Sequence, residues 1–377
     1  MLRILLTGGG TGGHIYPLIA VARELRNVSD INNIPLDIVY CGSYGDYKKT
    51  LRAENIKVVK IVGGKYRNYF SILNYLDTFK VIYSFFEAWV KIFFLMPNII
   101  YSTGGPGALP VVVMGRFYRI PVFIQESNVV PGRTNLICAR MALRVGIAFS
   151  GAAQYFKKNN IALVGNPLRN ELFTNIPSLD SAKLQLGFSP EMPVLLILGG
   201  SQGSTRINDS IFANLDFLIA RFQILHQVGE ENYKDAIEKS NFLLKSYTAE
   251  EQSRFRIVPL LDTVEAMKVA YAAADLVIAR SGAGTIFEIA AFRKPSILIP
   301  LPEAKDQKAN AYEYAGTGAA IVMEQGNLMP NLFHAQVIKI LSDEQTQLKM
   351  KEAAGKFARP NAARLVAEEI LKIVTSH

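Results

Sequence analysis

Two doubly wound α/β domains in tandem are predicted for this 377-residue chain by three observations. The length suits about two domains, at roughly 100–200 residues each. Residues 2–13 (LRILLTGGGTGG) and 194–203 (VLLILGGSQG) share one arrangement, an apolar run that enters glycines and then a helical pattern. Short apolar runs also alternate with helical segments along the whole chain, which is how buried parallel strands read in βαβ units.

The elements follow in order. After the opening run, strands are expected at 36–40, 98–101, 122–125 and 144–148. After the run from 194, they are expected at 223–226, 256–259, 276–279 and 296–300. Helices fill the spaces at 16–26, 108–117, 204–213, 263–273 and 285–291. The domain boundary falls at Val164-Gly165-Asn166-Pro167, because Gly-Asn-Pro continues neither a helix nor a central strand. This places the first domain at 1–165 and the second at 166–359. Arg359-Pro360-Asn361 reads as a second crossing, and the amphipathic tail 360–377 returns to the first domain.

Composition narrows the class. Half of the residues are apolar and 19% are charged, enough to bury a sizeable core. The two cysteines, Cys41 and Cys138, argue against a disulfide scaffold and for a reducing cytoplasm. No Cys and His cluster has metal-ligand spacing, and no Asp-x-Asp pair occurs. The apolar stretch Ile4-Leu5-Leu6 is too short for a signal peptide. Residues 81–96 fall short of the roughly 20 apolar residues that a spanning helix needs, and they carry Glu87 and Lys91.

Charge is divided unevenly. Residues 1–165 hold 19 Lys and Arg against 8 Asp and Glu, whereas residues 166–377 hold 22 against 24. The whole positive excess lies in the first half, where it suits a polyanionic partner, nucleic acid or an anionic membrane surface. Residues 65–96 are also dense in aromatics, with Lys65, Arg67, Lys80 and Lys91 among them. They read either as core packing with solvated lysines or as an apolar patch with a basic rim on a bilayer. Each basic residue near such a surface contributes about 1 kcal/mol.

Three glycine-rich turns carry the chemistry. Gly8-Gly9-Gly10-Thr11-Gly12-Gly13-His14 ends a strand and opens a helix with Pro17 near its first turn. Helix N-termini expose unpaired N–H groups, so the turn can hold an anionic or sugar ligand. It formally matches GxGxxG, but the second strand ends Tyr40-Cys41-Gly42-Ser43 without the acid that a dinucleotide site places there. His14 is either a structural histidine or a general base kept neutral by the helix dipole. Gly199-Gly200-Ser201-Gln202-Gly203 is a second candidate phosphate cradle. Arg280-Ser281-Gly282-Ala283-Gly284-Thr285 is the third, with Thr285 expected to contribute capping. Glu288, one turn on, is either a dipole-favoured carboxylate or an acceptor for two ribose hydroxyls. A donor on one wall of an interdomain cleft and an acceptor on the other would use all three turns.

These segments resemble a known family. GGGTGGH, Gln125-Glu126-Ser127-Asn128, GNPLR at 165–169, GGSQG at 199–203, RSGAGTIFE at 280–288 and Gln307 with Asn310-Ala311 occur in the order and spacing of the MurG family. The resemblance covers nearly the whole chain. It implies the two-domain GT-B fold and transfer of N-acetylglucosamine from UDP-GlcNAc to the 4-hydroxyl of lipid-linked MurNAc-pentapeptide, turning lipid I into lipid II.

By position, the resemblance implies that Thr11, Gly12, Gly13 and Asn128 contact the donor sugar. Arg169 and Ser201 would hold the diphosphate region. Backbone near Leu261 would pair with uracil. Ala283, Gly284, Thr285, Ile286, Phe287 and Glu288 would bind diphosphate and ribose, with Glu288 on the ribose hydroxyls. Gln307 would bind the GlcNAc hydroxyls. His14 and Glu126 would sit near the acceptor, and either one is the candidate base. The sequence departs from the family at 104–110, which read GGPGALP where GGYxSxP is usual. It also reads QESN where HEQN is usual.

The expected enzyme is therefore an inverting hexosyltransferase without a cofactor. Its partners are UDP-GlcNAc, lipid I and an anionic membrane, not nucleic acid, and it acts peripherally at the cytoplasmic face of the plasma membrane. The alternatives are a diacylglycerol glycosyltransferase, a UDP-GlcNAc 2-epimerase, or a non-catalytic membrane-surface scaffold of the same fold.

Overall fold

The structure is a computed structural model that describes residues 1–61, 73–157, 160–200 and 202–376, with residues 73–79 described by backbone alone. The chain divides into two compact units, Met1–Asn170 with Arg359–His377, and Glu171–Ala358.

The first unit is built on a parallel sheet of seven strands among the described residues. They are β1 (Leu2–Thr7), β2 (Leu36–Gly42), β3 (Lys57–Lys60), β4 (Ile99–Ser102), β5 (Val122–Glu126), β6 (Arg144–Ile147) and β7 (Ile161–Leu163). Their order is β3-β2-β1-β4-β5-β6-β7. Strand order reverses between β1 and β4, where Leu6 pairs with Tyr101 and Thr7 with Ser102. Ligands in open α/β sheets bind at such a switch point, beyond the carboxyl ends of the strands.

Alternation along β1 divides the core. Ile4 and Leu6 face Ile15, Leu18 and Ile19 of helix Gly12–Ile31, together with Val366 and Ile370 of helix Ala362–Thr375. Leu5 turns to the other face, against Ala88, Ile92, Val111 and Val112. The tail helix packs against helix Gly12–Ile31 within this unit. Helix Gly12–Ile31 begins four residues before the expected position 16, because Thr11 is its N-cap and the glycines themselves join the first turn. Pro17 therefore stands inside the helix, buried, rather than at its start.

The second unit repeats the plan. Its parallel strands are β8 (Val194–Leu198), β9 (Gln223–Gln227), β10 (Phe255–Val258), β11 (Leu276–Ala279), β12 (Ser296–Leu298) and β13 (Ala320–Val322). The order is β10-β9-β8-β11-β12-β13, with its switch point between β8 and β11. Leu195, Ile197, Ile278 and Ile297 pack with Ile207, Ile211, Val337 and Ile340 from flanking helices.

Two buried side chains of this unit make polar contacts across elements. Lys183 pairs with Asp275 at 2.9 Å and donates to the carbonyls of Pro190 and Met192. His226, wholly buried on β9, meets Asn208 Oδ1 through Nε2 at 3.0 Å.

Strands β3, β7 and β13 were not among the expected elements. Each is only three or four residues long and partly exposed; β3 is bounded by lysines, and the apolar runs of β7 and β13 are too short to mark a strand.

Candidate active site: two glycine-turn clusters

In the first unit the loops after β1, β2, β4 and β5 form one connected cluster. Thr11 Oγ1 lies 2.9 Å from His14 Nδ1. Thr103, past β4, donates its hydroxyl to the His14 carbonyl at 3.1 Å. Tyr40, buried on β2, places its hydroxyl 2.6 Å from the Ser43 carbonyl and 3.0 Å from the Gly8 carbonyl, which share its one hydrogen. The loop after β4 can approach this closely because it is glycine. Gly105 has φ +85°, and a Cβ there would stand 2.7 Å from Gly9 Cα.

His14 is half-buried in the first turn of its helix. Burial holds its imidazole below the usual histidine range, so the neutral ring dominates at pH 7. Burial carries this shift, where the sequence suggested the helix dipole.

Glu126 closes β5 with only 2% exposure. One carboxylate oxygen accepts from the Asn128 amide at 2.8 Å. The other accepts from Asn135 Nδ2 at 2.8 Å and from the Gly132 amide at 3.3 Å. Burial pushes its carboxyl up, and these donors oppose the shift. The carboxylate thus shapes the turn that presents Asn128. Gln125 and Ser127 tie the same segment to Gly165 and Asn166, at 2.9 and 2.8 Å.

Arg169 stands in the first unit. Its guanidinium lies over the Tyr16 ring, 4.9 Å from the centroid, and Tyr16 meets Tyr47 edge-on at 5.8 Å. Its neighbour Asn170 donates to Glu24 at 2.7 Å. Thr11 and Gly13 are exposed at the start of the helix, and Gly12 is half-buried beside them.

In the second unit the glycine turn after β8 opens helix Thr205–Ala213, whose N-cap Ser204 accepts from the Ile207 amide at 3.4 Å. Ser201 lies outside the described residues. A Cβ at Gly203 (φ +75°) would strike the Val228 carbonyl, so only glycine fits there. Gln227, at the end of β9, donates to the Gly200 carbonyl at 3.0 Å and accepts from the Leu261 amide at 3.1 Å. It thereby joins the glycine turn to the segment that holds Leu261.

Helix Ala283–Ala291 starts two residues before the expected position 285, so Thr285 is its third residue and not its cap. The N-cap is Gly282, with no side-chain cap, and no atom lies within 4 Å of where a Cβ would stand on Gly282 or Gly284. A helix start with no side-chain cap leaves its first-turn amides without that partner, and an anion along the helix dipole can supply one. Ile286 and Phe287 face the core, whereas Ala283, though buried, sits in the first turn. Glu288 accepts from the Tyr271 hydroxyl at 3.0 Å. Gln307 accepts from the Leu301 amide at 3.1 Å, and its carbonyl accepts from Ser281 Oγ at 2.9 Å.

Arg280 braces this edge. It donates to Ser204 Oγ and Gln325 Oε1, both at 2.6 Å, and to the carbonyls of Ile299 and Pro300 at 3.0 and 3.3 Å. Tyr40, Asn135, Gln227 and Tyr271 were not among the expected site residues. A polar residue closing an apolar strand run, as Gln227 does, is the one local signal that marks such a position.

The described residues contain no helix long and apolar enough to cross a membrane. Helix Leu73–Leu95 buries Ser84, Ala88 and Ile92 and exposes Ile82, Tyr83, Phe86, Trp89, Phe93 and Phe94. Phe117 of the next helix, 67% exposed, adjoins Tyr118, which meets Phe93 at 6.1 Å. Lys65 and Arg67 of the expected basic rim lie outside the described residues. Lys91 pairs with Glu87 at 2.7 Å.

Comparison with known proteins identifies two family domains. The glycosyltransferase family 28 N-terminal domain matches residues 4–147, and the C-terminal domain matches 194–366. A Clostridium botulinum protein named UDP-N-acetylglucosamine–N-acetylmuramyl-(pentapeptide) pyrophosphoryl-undecaprenol N-acetylglucosamine transferase is 34% identical over 87% of this chain and 88% of its own length. A Clostridium tetani protein of the same name is 32% identical over 97% of both. Among solved structures, Acinetobacter baumannii MurG matches 99% of the chain and 100% of its own, with 26% identity and a TM-score of 0.75. A UDP-GlcNAc 2-epimerase from Neisseria meningitidis shares the fold at 13% identity, with a TM-score of 0.69.

Proposed function

The chain belongs to the MurG family of glycosyltransferases, and from that premise we propose how its residues carry the reaction. The enzyme transfers N-acetylglucosamine from UDP-GlcNAc to lipid I, making lipid II for peptidoglycan. The carrying observation is identity of about one third to transferases of this name, spread over nearly the full length of both chains. Its two glycosyltransferase 28 domains make the GT-B fold.

In our reading the first unit takes the acceptor and the second the donor. The acceptor 4-hydroxyl oxygen attacks the anomeric carbon, the bond from that carbon to the diphosphate oxygen breaks, and the configuration inverts. His14 takes the hydroxyl proton. We assign the tautomer whose Nδ1–H faces Thr11 Oγ1, 2.9 Å away, which leaves Nε2 to accept the proton. Its neutral, half-buried ring favours it over Glu126, whose two oxygens are engaged by its own turn. Glu126 instead sets the turn bearing Asn128, which with Thr11, Gly12 and Gly13 meets the sugar.

The departing UDP carries negative charge. The uncapped amides beyond Gly282, the turn holding Ser201, and Arg169 are assigned to it. Ala283, Gly284, Thr285, Ile286 and Phe287 supply that helix start. Glu288 takes the ribose hydroxyls, backbone near Leu261 the uracil, and Gln307 the GlcNAc hydroxyls.

The exposed aromatic ridge on helix Leu73–Leu95 settles on an anionic bilayer at its cytoplasmic face, as an apolar face does at a headgroup boundary. This brings the enzyme to its lipid-borne acceptor. Incubation with UDP-GlcNAc and a lipid I analogue, followed by product mass, tests the reading. The glycosylated lipid is expected; release of ManNAc from UDP-GlcNAc alone would instead mark an epimerase.

A further inference from the structure

We propose that Tyr271 is a positioning residue that makes donor recognition selective for the ribose hydroxyls, by holding the Glu288 carboxylate through its phenolic O–H. The proposal rests on the assignment of Glu288 to the ribose and deepens it.

Tyr271 sits on helix Val264–Ala273 and Glu288 on helix Ala283–Ala291, the two helices that flank β11 in the chain. The tyrosine has no solvent exposure. Its ring stacks on Phe292 at 4.9 Å and 17° between planes. Phe292 is the C-cap of the helix that carries Glu288, and it meets Phe173 at 5.5 Å. Lys294 Nζ donates to the carbonyls of Ala272 and Ala274, on either side of the next turn, at 3.0 and 2.8 Å. The stack holds the ring on one face and Lys294 holds the backbone just beyond it, while its one side-chain polar atom points at Glu288 Oε2, 3.0 Å away.

That geometry answers a specific need. A glutamate side chain has three rotatable bonds, and ordering it on ligand binding opposes affinity. A carboxylate that accepts from two neighbouring hydroxyls must be held at a fixed orientation. A tyrosine hydroxyl holds it as a neutral donor, so the carboxylate keeps its charge. An arginine or lysine in the same place would cancel that charge. Burial and the Glu288 charge both keep the Tyr271 proton on, so the donor is present throughout the working pH range.

The test is titration calorimetry with UDP and 2′,3′-dideoxy-UDP on the full-length wild type, Tyr271→Phe, Glu288→Ala and the double variant. Phenylalanine keeps the ring and its stack on Phe292, so the fold is retained and only the hydroxyl is lost. The wild type should prefer UDP. Tyr271→Phe should bind UDP about three- to tenfold more weakly, with dideoxy-UDP unchanged. The double variant should bind UDP no more weakly than Glu288→Ala alone. Equal weakening of both nucleotides in Tyr271→Phe, an undiminished preference, or a further loss in the double variant would overturn the positioning role. Should Glu288→Ala itself retain the wild-type preference, the ribose assignment falls first, and the proposal with it.

Discussion

Thr103 donates its hydroxyl hydrogen to the carbonyl oxygen of His14 at 3.1 Å, across 89 residues of sequence. The bond ties the loop past β4 to the first turn of helix Gly12–Ile31, at the switch point of the first sheet. His14 is thus located by the loop after a neighbouring strand as well as by its own helix. Thr103→Val should lower stability by about 1 kcal/mol and reduce turnover several-fold, as read by urea unfolding and steady-state kinetics.

Removing the imidazole is a sharper test. His14→Ala should lower kcat by about 10²–10⁴, the usual range for a general base. The dissociation constant for UDP-GlcNAc should stay at the wild-type value. Unchanged turnover would take the base role away from His14.

In Glu126→Gln an NH2 group replaces one of the two oxygens that accept from the Asn128 and Gly132 amides, so it meets a backbone N–H that has lost its acceptor. It should destabilise the first unit by about 1–3 kcal/mol. Activity should fall with stability and recover on cooling. A variant with wild-type melting temperature and activity as low as His14→Ala would exchange the two roles.

Phe86, Trp89, Phe93 and Phe94 are 43 to 77% exposed, so serine at all four should leave the melting temperature near wild type. Sedimentation with vesicles containing anionic lipid should show less bound enzyme. Normal sedimentation would dismiss the ridge as a membrane surface. Phe85 is partly buried and is left out of this set, since its loss would confound stability with binding.

His226 supplies a pH signature. Burial lowers its pKa from 6.5 in an exposed chain to about 3. Between those values the unfolded chain binds a proton that the folded chain refuses, so stability falls as pH drops from about 6.5 toward 3. The slope approaches about 1.4 kcal/mol per pH unit in the middle of that window. His226→Asn should be less stable at pH 7, having lost a buried contact, yet show a shallower acid slope in urea titrations at pH 7, 6 and 5.

The strand runs and glycine turns were legible in the sequence because their signals are local. Leu276–Ala279 and helix Ala108–Phe117 stand where periodicity places them, since a buried strand or an apolar helix face is written in consecutive residues. The ends moved at Gly12 and Ala283, because Gly12, Gly13 and Gly284 join the first helical turns and neither N-cap, Thr11 or Gly282, makes a side-chain capping bond. His14, Glu126 and Glu288 could be singled out by their place after such turns.

Sequence by itself determined two parallel α/β layers, the turns at their carboxyl edges and the residue types waiting there. Tertiary structure alone decided which of those residues hold one another. Asn135 reaches Glu126, Gln227 reaches the Leu261 amide, and Tyr271 reaches Glu288, each from a different element. The reason is the crossover connection: a parallel sheet lays strands side by side that are distant in the chain, so the loops at one edge meet through strand order, which no local spacing encodes.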